Sequence, residues 1–124
     1  MLLIAVALAA SSPNCANPQT QRAMTQCAAA AYTRADAELT RQWKITYAYM
    51  KRRDAQDTSR SGGFGYAAAL LESQRAWLRF RDTQCVIEGG QFAGGSAQPM
   101  TQAQCKTRLT RDRTRQLTSL VWSR

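Results

Sequence analysis

At 124 residues, 44% of them hydrophobic, the chain has the size of one domain with a modest core. No apolar run is long enough to form a membrane-spanning helix. Seventeen basic residues face eight acidic ones, a formal charge of +9, and histidine is absent. The balance favours anionic partners, and the missing imidazole removes the commonest general base and a frequent metal ligand.

The first ten residues, Met1 to Ala10, are rich in Leu, Ala and Val and end in a small-residue pattern suited to signal peptidase, with cleavage after Ala9 or Ala10. No Lys or Arg precedes the apolar stretch, which is expected of a signal peptide whose true start lies upstream or of a truncated one. Residues 11–124 then form one domain, exported to the periplasm or secreted.

Residues 11–19 are rich in Ser, Pro and Asn and should be extended, with Thr20 as a helix N-cap. Met24, Ala28, Ala31, Ala35, Leu39, Trp43, Thr46 and Met50 then recur in steps of three and four. This spacing predicts one long amphipathic helix to about Arg53. Lys51, Arg52 and Arg53 close it, where cations complement the helix dipole.

Asp54 to Gly65 is polar and then glycine-rich, and reads as a flexible connection without a phosphate-binding motif. A second helix is expected from about Tyr66 to Glu88, stopped by Gly89 and Gly90. Its stripe is Ala67, Leu70, Leu71, Gln74, Leu78, Arg81 and Cys85, so an amide and a guanidinium stand among apolar positions. After a loop from Gln91 to Met100, a third helix is expected from about Thr101 to Val121. Arg113 lies within its stripe, and Arg108, Arg111 and Arg115 form a basic ridge on its other side. The fold class is all-α: three helices in an antiparallel bundle.

Four cysteines in a small exported chain indicate two disulfides, for which three connectivities exist. No Cys-x2-Cys knuckle is present, so zinc is not expected. Local bridges suit the helical layout, Cys15–Cys27 folding the extended segment onto the first helix and Cys85–Cys105 stapling the second loop. Each would contribute about 2–4 kcal/mol.

Catalysis has little support. Most carboxylates stand beside basic residues, and Ser96 has no histidine to activate it. No cofactor is expected. The in-stripe polar groups are better explained as a structural network of Asp36, Glu38, Gln74, Arg81 and Arg113. In that network Arg81 pairs with Asp36 or Glu38 across the first two helices and fixes register.

Several motifs together resemble a known family. They are Cys15-x11-Cys27, Ala35-Asp36-Ala37-Glu38-Leu39, and Gln74-Arg75-Ala76-Trp77-Leu78-x-Phe80-Arg81-Asp82-x-x-Cys85. Gly94-Gly95-Ser96 and Cys105-x4-Thr110-x2-Arg113-x3-Leu117 follow in order. The chain resembles the LprI-like lysozyme-inhibitor domain. It departs from that pattern at Thr40 and Trp43, where the family usually carries Asn and Tyr. The resemblance implies an exported, disulfide-bonded helical domain of bacteria, with lysozyme or another envelope protein as partner. Common animal lysozymes are strongly basic, so long-range repulsion would slow docking at low salt. The loop is the segment expected to insert, with Phe92 as its anchor beside Gly94, Gly95 and Ser96. The competing reading is a module that binds anionic cell-wall polymer through Lys51, Arg52, Arg53, Arg108, Arg111 and Arg115; nucleic acid is not expected.

Overall fold

A computed structural model of the chain describes residues 14–58 and 63–122. They form three helices, α1 (Gln21–Gln56), α2 (Tyr66–Gly89) and α3 (Gln98–Ser119), with a 3-10 turn at Gly90–Phe92. Disulfides join Cys15 to Cys27 and Cys85 to Cys105. The all-α bundle and both bridges are therefore as the residue pattern predicts. The stretch read as a signal peptide lies outside the described residues. Among those residues no helix is long and apolar enough to cross a membrane.

Thr20 starts α1 as expected: its backbone is extended and its hydroxyl accepts the Ala23 N–H at 3.0 Å. The helix runs three residues past the expected Arg53, and its last turn does a job that the pattern of apolar residues does not reveal. The Asp54 carboxylate accepts the backbone N–H groups of Tyr66 and Ala67 at 2.6 and 3.0 Å. Those are orphan donors at the start of α2, whose own N-cap is Gly65, with a φ of 85° and no side chain to offer. Asp57 likewise accepts the Phe64 N–H at 2.8 Å. The segment expected to be a flexible connection is thus tied to α1 and α2 at its two ends.

The other connection is tighter than expected. Gly89 is the last residue of α2, and a Cβ there would lie 2.5 Å from Cγ of Gln102 on α3. Close approach, as much as helix termination, explains that glycine. The third helix begins at Gln98 rather than near Thr101, with Pro99 in its first turn, where a missing N–H costs nothing.

Helices α1 and α3 lie side by side in the same direction, and α2 runs antiparallel to them. Near the start of both parallel helices the Gln21 amide meets the Met100 sulfur; further along, the buried Thr46 hydroxyl donates to the Leu117 carbonyl at 2.9 Å. The apolar core is a cluster of Leu39, Met50, Ala67, Leu70 and Leu117, with Trp43, Tyr47, Tyr49, Tyr66, Trp77 and Leu120 packed on it. It fills the half of the bundle where α1 ends and α2 begins. Toward the other end the interior holds Arg81, Thr107, Thr110 and the buried Cys85–Cys105 bridge. A covalent link thus stands where this small domain lacks apolar bulk.

Candidate functional site

The two buried arginines divide the polar interior between them. Arg81 Nε donates to Asp82 Oδ1 at 3.0 Å, and one terminal nitrogen reaches Thr110 Oγ1 at 3.4 Å and Asp36 Oδ1 at 3.7 Å. Its guanidinium carbon lies 5.2 Å from the Trp77 ring centre and 5.4 Å from that of Tyr32. Among the described residues Arg113 reaches no carboxylate. Its three nitrogens donate to Gln74 Oε1 at 2.9 Å, Gln116 Oε1 at 3.1 Å and Ser73 Oγ at 3.0 Å. Burial alone lowers its pKa from the ordinary value. Burial is also the largest influence on the Tyr32 hydroxyl and raises its pKa; Arg81 works against the rise, and Asp36 and Asp82 add to it.

Trp77, 5.9 Å from the Arg113 guanidinium, is shared by both cations, so the Gln74–Cys85 block binds α2 to both neighbours. Glu38 is exposed and lies apart from this belt. Among the described residues no buried side-chain nitrogen or oxygen lacks a partner. The belt presents its polar groups to one another rather than to a ligand.

Exposed chemistry gathers at the end stapled by Cys85–Cys105. The 3-10 turn leads into tight turns: Ala93 N–H donates to the Gly90 carbonyl at 3.1 Å and Gly95 N–H to the Phe92 carbonyl at 2.9 Å. Gly94 adopts a φ of 78°, and its N–H donates to the Gln98 side chain at 3.1 Å. A Cβ on Gly95 would sit 3.2 Å from the Phe92 carbonyl oxygen. Phe92 is 44% exposed, and Gly94, Gly95 and Ser96 are exposed beside it.

Close to this loop in sequence, on the last turns of α2, Val86 and Ile87 are 63% and 70% exposed. Phe80 adds a ring that is half out of the bundle. Reading α2 by its buried stripe passes over these residues. The available signal is that Phe80 and Ile87 stand seven apart, on one face, while Cys85 points inward.

The candidate polyanion residues do not form one patch. Arg108, Arg111 and Arg115 line a groove of about 310 Å³ between α3 and the Ala28–Ala31 face of α1. Glu88 on α2 pairs with Arg108 at 2.7 and 2.9 Å, and this hydrogen bond, opposed by desolvation and aided by Gln84, holds the Glu88 carboxyl below its ordinary pKa. Arg115 pairs with Asp112. Lys51, Arg52 and Arg53 lie at the far end of α1, over the rings of Tyr47, Tyr49 and Tyr66 respectively, and none of them lines this groove.

Residues 12–117 match the family described as lysozyme inhibitor LprI. An uncharacterized protein of Rhizobium meliloti (strain 1021) is 36% identical over 112 residues, which cover 90% of this chain and 81% of that protein. No solved structure matches the chain at a significant level. The match runs from before the first cysteine through Leu117 and takes in the arginine belt and the stapled loop; the chain belongs to the LprI lysozyme-inhibitor family.

Proposed function

We propose that this protein is exported to the bacterial envelope and acts as a lysozyme-inhibitor-like binding protein, by docking rather than by catalysis. Two disulfides support export, because such bridges persist in oxidising compartments. The observation that carries the docking reading is the exposed apolar set Val86, Ile87 and Phe92 beside a glycine-tipped loop closed by a buried disulfide. An anchor whose backbone is already ordered loses little entropy on binding. Lysozyme is the partner that the family supplies.

The test is inhibition of several lysozyme types by the purified oxidised protein, titrated across salt. Because a +9 inhibitor repels a basic enzyme at long range, inhibition should strengthen as salt rises moderately. Phe92→Ala and Ile87→Ser should each weaken it by about tenfold or more with the fold intact, the loss typical of a buried anchor. Absence of inhibition at every salt, against every type, overturns the reading.

A further inference from the structure

The carboxylates of this chain are largely turned to internal use. Asp36 and Asp82 face Arg81, Asp54 and Asp57 accept backbone N–H groups at the start of α2, Glu88 holds Arg108, and Asp112 holds Arg115. Among the described residues, Glu38 and Glu72 stand outside such contacts, and neither lines the groove between α1 and α3. With seventeen basic residues against eight acidic ones the chain keeps a net charge of +9, and three of its arginines line the groove. Its floor is Ala28 and Ala31; Arg108, Arg111 and Arg115 rise from α3 beside Gln104, and the Asp112 carboxylate stands among them. Arg111 is exposed and carries no ion pair among the described residues; Arg108 and Arg115 are held along the same ridge by their carboxylates.

We infer that this groove binds a linear phosphodiester polymer laid along α3, on a surface separate from the loop proposed to dock protein. All three cations of the groove are arginines, the residue whose planar fork matches phosphate oxygens two at a time. From Arg108 to Arg115 the helix rises about 10 Å, so successive guanidinium groups meet successive charges of an extended chain. The alanine floor admits a thin polymer backbone. A flat anionic membrane could not follow the concave floor. The basic cluster Lys51 to Arg53, which a membrane face would recruit, sits outside the groove at the end of α1.

The experiment measures binding of the oxidised full chain to a synthetic glycerol-phosphate oligomer at several salt concentrations. Poly-L-glutamate of equal charge and phosphatidylglycerol vesicles are run beside it. With about three phosphates engaged, affinity for the oligomer should fall by about 20-fold between 50 and 200 mM salt. Arg111→Gln with Arg115→Gln should cost tenfold or more at low salt and flatten that dependence. Arg75→Gln with Arg79→Gln, which removes the same charge from exposed positions on α2, should cost less than twofold. Ala31→Phe, which fills the groove without changing charge, should weaken binding at least fivefold while the melting temperature holds. Equal losses from the two arginine pairs, no effect of Ala31→Phe, or equal or tighter binding to polyglutamate or vesicles would each overturn the inference. Lysozyme inhibition is not a readout in this experiment, so its outcome is independent of the docking proposal.

Discussion

Gln74 and Arg113 show how a buried charge survives without a carboxylate. Three neutral oxygens receive the Arg113 guanidinium, and Trp77 lies near its face. Removing one acceptor leaves a buried donor unmet, which costs about 1–3 kcal/mol. Gln74→Leu should therefore destabilise the protein by that amount in a denaturant melt. The Asp36–Arg81 pair has different standing. At 3.7 Å, with the Asp36 side chain half exposed, it resembles a surface ion pair. A double-mutant cycle of Asp36→Ala and Arg81→Met should give a coupling of about 1 kcal/mol or less, below that between Gln74 and Arg113. A larger coupling for the Asp36 pair would make it the main tie across α1 and α2.

At the scale of the helices, the weakest start belongs to α2. Its N-cap is a glycine, and its first two amides depend on a carboxylate twelve residues back in sequence. That contact joins the end of α1 to the beginning of α2. Asp54→Ala should cost about 1–2 kcal/mol, the range for a lost N-cap, seen as a lower denaturant midpoint. Asp54→Asn keeps one acceptor and should recover part of the loss. An unchanged midpoint in Asp54→Ala would show that solvent serves these amides equally well. The capping aspartate escapes motif reading because local capping rules look one to three residues ahead.

For the molecule as a whole, the two disulfides are unequal. They close 12 and 20 residues, and in the chain-entropy account this difference is worth only about half a kcal/mol. Position separates them much more. Cys85 and Cys105 are 0% and 1% exposed and form the interior of one end, whereas Cys15 lies in the exposed segment ahead of α1. Replacing Cys85 and Cys105 by Ser should cost about 2–5 kcal/mol and abolish binding through the loop. Replacing Cys15 and Cys27 should lower the melting temperature less and leave binding in place. Equal effects of the two replacements on binding would disconnect the staple from the loop's function.

Much of this architecture was determined by residue order alone. The steps of three and four from Met24 to Met50 encode α1, and the local cysteine spacings fit helical geometry well enough to choose both bridges. The Gln74–Cys85 block identifies the family, because periodicity and motif spacing are properties of a single chain segment. What Gln74 and Arg81 meet was not legible in the same way. Arg81 reaches the expected Asp36 at 3.7 Å but sits closer, at 3.0 Å, to its own neighbour Asp82, and Gln74 meets an arginine rather than a carboxylate, because partners across helices depend on crossing angle and rotamer. Tertiary structure alone exposed Val86 and Ile87, split the basic residues into a groove and a ring-covered cluster, and brought Asp54 to the amides of α2. Each of these depends on which faces three helices leave uncovered when they pack together, and a linear pattern of residues does not contain that choice.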